Sequence, residues 1–391
     1  MKIAIVEMEC HAEVLRAFVK LASLLDESES KYDFTIFTSN EIWKETKLDV
    51  NELNQFRLVA KQDKETLEEF LLLNLPNINQ HELIVFNTLQ ENFSFYNKLN
   101  LLPPIWLRVH NTNFYFRQDD TKANDFSVSG VKLSFKKWIR RENKHKRQFL
   151  SFVNSFLFPN EVLSHWAVQH YNLNPKKVFN PTLPFTFVIN EQIENVKKDN
   201  DYFIIGIIGA IDPERRDYDL LIQAMQDFIP KSQRKVQLIL LGQIKGSFAE
   251  QILKSLKNLN PSKLEIISYH HLVDQDEFDR QITKIDVLLA PLKLETHFHV
   301  SKEFYGKTKV SGSVNDAIRQ LKKIILPAAY GIEPDLEQLV LSYNNLDELV
   351  AHLVNLESQL ADTKTSIPSN SYYLLENQLQ ILKRELEKIR K

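Results

Sequence analysis

The stretch 302–327, KEFYGKTKVSGSVNDAIRQLKKIILP, gathers the residue types that bind phosphate. Gly306 and Gly312 flank Lys307, Thr308, Lys309 and Ser311. Ser313 follows, and Val314, Ala317, Ile318 and Leu321 then recur at helical spacing ahead of the apolar run 324–326. Such a loop feeds a helix N-terminus, where free N–H groups and about half a positive charge from the helix dipole favour anions. Two lysines and the hydroxyls strengthen that attraction, and a diphosphate suits it. The same composition also describes a plain solvated loop.

A second cationic point comes earlier. Arg215 and Arg216 stand among Asp212, Glu214, Asp217 and Asp219, between a strand that ends near Gly209 and an apolar helix. The planar fork of arginine binds two phosphate oxygens at once, although four neighbouring acids also allow a surface ion-pair network. His110 closes a strand in LRVHN, where it could bond a sugar hydroxyl, stabilise developing charge or be structural. His11, in ECHAE, has a similar position. His297 and His299 have the HxH spacing of a metal pair, and His270 and His271 are adjacent. No third ligand is placed by sequence, so no metal is expected.

The elements that must carry these residues alternate. Apolar runs over 3–6, 34–37, 83–86, 105–109, 155–158 and 177–179 are separated by helical patterns over 12–25, 65–73 and 161–171. After a polar, proline-bearing passage the alternation restarts. Strands are expected over 203–208, 236–241, 264–267 and 287–290, and helices over 218–228, 249–256 and 275–283. This order predicts two α/β domains, each a doubly wound parallel sheet, facing each other across a cleft that holds the active site. The boundaries are 1–187 for the first domain, 188–202 for a linker, 203–368 for the second and 369–391 for a terminal helix. None of the eight glycines precedes Gly130 and seven lie from Gly206 to Gly331, so close backbone approach to a ligand is expected in the second domain.

At 391 residues the chain exceeds one ordinary core. Its 49 Lys and Arg against 51 Asp and Glu, net charge −2, argue against a dedicated nucleic-acid binder. Cys10 is the single cysteine, which excludes an internal disulfide and suits a reducing compartment. The N-terminus lacks the pattern of a signal peptide, and no run approaches the ~18 apolar residues that span a bilayer. The expectation is a cytoplasmic protein. In 132–147, KLSFKKWIRRENKHKR, eight Lys or Arg oppose one acid with Phe135, Trp138 and Ile139 interleaved. Such a helix can lie on an anionic membrane surface, which suggests peripheral contact with the inner face of the plasma membrane. A solvated helix face fits the same residues.

Taken together, residues 203–330 resemble the second domain of GT-B glycosyltransferases, specifically the retaining family 4 group that uses nucleotide-diphosphate sugars, and the first domain resembles theirs loosely. Gly209, Ala210, Glu214, Arg215 and the helix start Asp219, Leu220, Leu221 match a strand-to-helix motif in which the family has arginine at Ala210 and lysine at Arg215. Asp316 and Ala317, followed by Lys323, Ile324 and Ile325, fall into the frame of a Glu-x7-Glu-Ala motif. The resemblance implies that Asp316 binds the nucleotide ribose and that Thr308 stands where a glutamate contacts the donor sugar. Glu303, Phe304 and Gly306 are similar to a Glu-x-Phe-Gly fragment, which offers Glu303 as another donor contact. His110 matches a histidine at a strand end that contacts the donor sugar.

What this implies is a retaining hexosyltransferase that needs neither metal nor cofactor, because fixed cations meet the leaving diphosphate. Arg215, Arg216, Lys307, Lys309, Ser311, Gly312, Ser313 and Asp316 would hold the donor, and His110, Thr308 and Glu303 would stand at the chemistry. The acceptor would be a glycan or lipid-linked saccharide on the side of the first domain, in cell-surface polysaccharide or glycoconjugate synthesis. The departures at Ala210 and Thr308 favour a rival reading, a catalytically degenerate GT-B protein that serves as a binding or scaffold partner. A sugar-nucleotide epimerase on this fold would need an acid–base pair that the sequence does not single out.

Overall fold

Runs of β-branched and aromatic residues form the sheets, and the computed structural model describes residues 1–25, 32–49, 55–117, 131–188, 201–299, 301–359 and 365–390, with side chains outside 131–141. Residues 189–200 of the expected linker, and the side chains of 132–141 in the expected basic face, lie outside the described residues. The chain divides into two units. The first comprises Met1–Thr186, Phe298–Ser301 and Leu375–Lys391, and the second Phe187–His297 and Lys302–Leu374.

In the first unit, strands β1 (Lys2–Glu7), β2 (Asp33–Ser39), β3 (Phe56–Lys61), β4 (Leu83–Thr88), β5 (Ile105–Arg108) and β6 (Ser155–Leu157) form one parallel sheet in the order β3-β2-β1-β4-β5-β6. The central strands β1 and β4 are covered on both faces, so they read as unbroken apolar runs. The run over 177–179 does not extend the sheet. Val178 makes only an isolated bridge to Phe156, because the one-turn helix Pro175–Lys177 precedes it and polar turns flank it. The helix Leu375–Arg390 belongs to this unit. It buries Ile381, Leu382 and Leu386, and the Gln378 amide donates to the Thr186 carbonyl at 2.7 Å.

The second unit repeats the plan with β7 (Tyr202–Ile208), β8 (Lys235–Gln243), β9 (Leu264–Tyr269), β10 (Val287–Leu289), β13 (Lys323–Pro327) and β14 (Val340–Tyr343), in the order β14-β13-β10-β7-β8-β9. Between β10 and β13 the chain inserts a two-stranded hairpin, β11 (Glu295–Phe298) and β12 (Ser301–Phe304), whose tip, Phe298–Ser301, groups with the first unit. Alternation along β7 builds two cores. Phe203, Ile205 and Ile207 pack with the helices Tyr218–Phe228, Gly246–Lys257 and Leu346–Ser358. Ile204 and Ile208 pack with Gln275–Lys284 and Gly312–Arg319 on the other face.

In each unit the strand order reverses direction next to the first strand, between β1 and β4 and between β7 and β10. Loops leaving the carboxyl ends of those strands diverge there, which makes the reversal point the natural place for a ligand in an open α/β sheet. Among the described residues, no helix is long and apolar enough to cross a membrane.

Candidate functional site

The loops after β7 and β10 are joined. Asp217 N–H donates to the Pro291 carbonyl at 2.8 Å, Lys293 N–H donates to the Arg215 carbonyl at 3.0 Å, and Arg216 and Leu292 form an antiparallel bridge. The turn begins at Gly209, whose φ of +95° suits glycine, and an added Cβ there would stand 2.8 Å from the Arg216 guanidinium. Arg216 is folded back and 8% exposed. Its Nη1 donates to the Ala210 carbonyl at 3.0 Å, Nη2 donates to the Ile208 carbonyl, and Nε is buried with no hydrogen-bond partner among the described residues. Arg215 is exposed, and its Nε lies 3.1 Å from an Asp212 carboxylate oxygen.

The helix Gly312–Arg319 enters the same corner. Ser313 Oγ donates to the Ile208 carbonyl at 3.5 Å, so this terminus and Arg216 converge on one carbonyl at the end of β7. Among the described residues, no side chain caps the terminus. The first N–H groups of a helix have no partner inside it, so those of Gly312 and Ser313 are directed out of the helix, and a Cβ added at Gly312 would meet nothing within 4 Å. Ser311 is buried and its N–H donates to Tyr330 Oη at 3.3 Å.

The loop ahead of this helix is a tight turn. Thr308 is wholly buried. Its Oγ1 accepts the Phe304 N–H at 2.8 Å, and its own N–H donates to the Phe304 carbonyl at 2.9 Å, so the hydroxyl serves the turn. Lys307 points to solvent and Lys309 is half-buried. Burial, and then the charge of nearby Arg215, lower Lys309 to about 8 against the opposing pull of the Glu303 carboxylate. Glu303 is wholly buried on β12. Asp316 lies further along the helix and its carboxylate is 3.2 Å from Arg319, which also pairs with Asp279 at 3.1 Å. Arg215, Arg216, Lys309, Glu303 and the helix terminus thus share one neighbourhood. Thr308 and Ser311 are inside its scaffold, while Asp316 faces its own ion-pair chain.

His110 belongs to the first unit, at the end of β5. Its Nε2 lies 2.9 Å from the Asn87 carbonyl, and its ring stacks on His11 with centroids 4.2 Å apart. Burial works against a charged His11, but the side chain of Cys10 and the Glu13 carboxylate, 2.9 Å from Nδ1, outweigh it and raise the ring to about 10. Beneath them Arg108 is 1% exposed, donates to Asn87 Oδ1 at 2.9 Å and lies over the Phe185 ring at 4.2 Å. Among the described residues, no three His, Cys, Asp or Glu side chains are grouped to hold a metal ion.

No protein-family model and no curated protein sequence matches this chain. Solved structures do. The Anabaena protein HepE, crystallised with UDP-glucose, superposes with a TM-score of 0.58 at 11% identity over 99% of this chain and 100% of its own. The fold is of the GT-B type. The pneumococcal O-GlcNAc transferase GtfA, in complex with UDP and GlcNAc, gives 0.55 at 10% identity over 100% of this chain and 99% of its own. The UDP-GlcNAc 2-epimerase of Neisseria meningitidis, bound to UDP-GlcNAc, gives 0.54 at 12% identity over 99% and 100%. At such identities the likeness is one of fold, and it covers both units.

Residues that the sequence did not single out also stand at these strand ends. Lys293 enters the corner through its backbone and Tyr330 through its phenol. Glu7 and Glu9 in the first unit read, in sequence, only as acids after a strand. Their roles arise from hydrogen bonds to residues 87–91, about eighty positions away, which no local pattern signals.

Proposed function

We propose that the protein transfers a glycosyl group from a nucleotide-diphosphate sugar, with a uridine nucleotide as the first candidate, to a saccharide or lipid-linked acceptor. The observation that carries this reading is the uncapped terminus of Gly312–Arg319 meeting Arg216 at the Ile208 carbonyl, with Arg215 and Lys309 beside it, at the reversal point of the second sheet. The relatives in fold, crystallised with UDP, UDP-glucose or UDP-GlcNAc, support the uridine choice.

In this reaction the bond between the anomeric carbon and the diphosphate oxygen breaks through an oxocarbenium-like state, and negative charge grows on the diphosphate. Donors fixed before the reaction stabilise that charge without reorganising, each by roughly 3 kcal/mol. The N–H groups of Gly312 and Ser313, the Lys309 ammonium and the Arg215 guanidinium, exchanged from Asp212 to the ligand, take this role. Lys307 adds an exposed charge near the same loop. Arg216 acts by holding the β7 turn and lending its charge from beneath. Glu303 keeps Lys309 charged, and Thr308 and Ser311 hold the loop. Asp316, oriented by Arg319, is proposed for the ribose hydroxyls and His110 for a sugar hydroxyl. The resemblance implies retention at the anomeric carbon, and the coupling constant of the product's anomeric proton tests it.

A second reading, a non-catalytic nucleotide-sugar binder, is favoured by one observation: the Thr308 hydroxyl is wholly buried in its turn. A thermal-shift screen against UDP, GDP, CMP and their sugars, repeated on Arg215→Ala and Lys309→Ala, tests the site. A ligand at ~100 times its Kd should add roughly 2.7 kcal/mol of stability. Stabilisation by one nucleotide that each substitution cuts to roughly 1.4 kcal/mol is the expected result, and no shift with any nucleotide would sink the reading. Release of free nucleotide from the bound sugar then separates the enzyme from the binder.

A further inference from the structure

In the second unit, the loop that follows β13 grips the phosphate loop at both of its ends. At the first, Gly306 has a φ of +77°, and a Cβ added there would stand 2.5 Å from the Gly331 nitrogen and 2.8 Å from the Tyr330 ring. At the second, the Tyr330 phenol accepts the Ser311 N–H at 3.3 Å. Lys307 and Lys309 lie between these points, and the helix Gly312–Arg319 begins directly after Ser311. A displacement of Tyr330 and Gly331 therefore carries the loop and the helix terminus with it. Whatever fixes these two residues also fixes the N–H groups of Gly312 and Ser313.

Backbone bonds hold the start of the gripping loop. Ala328 N–H donates to the Tyr343 carbonyl at 2.8 Å, and Tyr330 N–H donates to the Pro327 carbonyl at 2.9 Å. Its far end is held by side chains. Glu333, buried, accepts the phenol of Tyr372 on one oxygen and that of Tyr373, at 2.5 Å, on the other, from 39 and 40 positions further along the chain. A carboxyl taken out of water is costly unless hydrogen bonds satisfy it, and a donor on each oxygen fixes both its place and its plane. The tyrosine segment is anchored in turn, because the Tyr373 carbonyl accepts the Val188 N–H at 2.9 Å and Val188 bridges to Leu374. Tyr305, Val310, Val314, Tyr330 and Tyr373 pack in one core. Glu333 is close enough for its charge to act on Tyr330, where burial, with Tyr305 and Glu333 adding to it, holds the phenol above its ordinary range against the Ser311 N–H.

We infer that Glu333 is a positioning residue for the nucleotide diphosphate: bonded to Tyr372 and Tyr373, it holds Tyr330 and Gly331 in their grip and so aims the N–H groups of Gly312 and Ser313 at the phosphates. This rests on the nucleotide-sugar reading above. Glu333 acts through Tyr330 and not by contact with the ligand, and every residue of the chain of contacts belongs to the second unit. An apolar side chain would fill the same space without setting a direction, whereas the two phenols orient the carboxyl and the turn that carries it. Slackening the grip misaligns donors that only a phosphate uses, so the loss falls on UDP and spares uridine.

The experiment measures UDP and uridine affinity by calorimetry on wild type, Glu333→Gln, Tyr330→Phe and the double variant, with denaturant titration of each. Either single substitution should weaken UDP binding about tenfold while uridine affinity stays within about twofold of wild type. Because Glu333 acts through Tyr330, the double variant should bind UDP no more than about twofold more weakly than Tyr330→Phe alone, a coupling that a merely structural part for Glu333 would not produce. Tyr373→Phe keeps the ring in the core and removes one donor, so it reads the same link where Glu333→Gln does not fold, with a selective loss of about threefold in UDP affinity. Unchanged UDP affinity in Glu333→Gln, or in Tyr373→Phe where that variant stands in for it, overturns the assignment and leaves the donor site standing. Equal losses for UDP and uridine, or additive losses in the double variant, do the same. Failure of the wild type to bind UDP overturns the nucleotide-sugar reading and this assignment with it.

Discussion

Lys309 holds its charge against burial and against Arg215, which together lower it to about 8. Its ordinary value is 10.5, so between about pH 8 and 10.5 the unfolded chain binds more protons than the native one. This group therefore makes the native state more stable as pH rises through that window, and it is a net burden below it. A bound diphosphate reverses the shift, because its negative charge favours the ammonium. Nucleotide affinity should be full below pH 8 and weaken above it, by at most about tenfold per pH unit, and Lys309→Ala should flatten that dependence in calorimetric titrations. The two arginines should separate cleanly. Arg215 is exposed and, among the described residues, paired with Asp212 alone, so Arg215→Ala is expected to weaken UDP binding about tenfold, or about 1.4 kcal/mol, with stability unchanged. Arg216→Ala strips donors from the carbonyl of buried Ile208 and from that of Ala210, and should cost roughly 1–3 kcal/mol in denaturant titration.

Elements place these side chains, and their tolerances are narrow where β8 passes the β7 turn. A Cβ at Gly242 would lie 2.3 Å from the Gly209 backbone, which cannot move without carrying Arg215 and Arg216 with it. Gly242→Ala should therefore lower stability by roughly 1–3 kcal/mol and reduce nucleotide binding as well. Asp217→Ala removes the cap of Tyr218–Phe228, where Oδ1 accepts the Leu220 N–H at 3.0 Å, and should cost about 1 kcal/mol without that second effect. Doubly covered strands such as β1, β4 and β7 were legible as apolar runs, and Glu161–Tyr171 and Tyr218–Phe228 were legible to the residue. The edge strands β3 and β14, mostly half-buried and mixed in polarity, gave no such signal. Nor did the hairpin β11–β12, whose ETHF and SKEF are largely polar. Within the site, glycine and lysine around 306–312 were legible because local sequence makes the loop. The folding back of Arg216, and the pairing of 215–217 with 291–293, depend on a strand some seventy residues away and were not.

On the scale of the whole chain, one plan is used twice, and the two sheet ends carry opposite chemistry. The end of the second sheet is cationic, through Arg215, Arg216 and Lys309. The end of the first is lined by the carboxyls of Glu7 and Glu9 and by the His11–His110 stack. Net charge is −2, so the corner in the second unit is a local concentration of positive charge and not part of a general basic surface. Saturating UDP should slow amide hydrogen exchange most strongly at 209–217, 291–293 and 305–316, because those segments share the hydrogen bonds of the corner. The most direct test of that corner is calorimetric titration of the full chain with UDP, UMP and uridine at pH 7, on wild type and Lys309→Ala. If the helix terminus and its cations bind a diphosphate, UDP should bind at least about a hundredfold more tightly than uridine, with UMP between them, and Lys309→Ala should remove about tenfold of that difference. Equal affinities for UDP and uridine, or a Lys309→Ala protein that discriminates as well as wild type, would contradict the account.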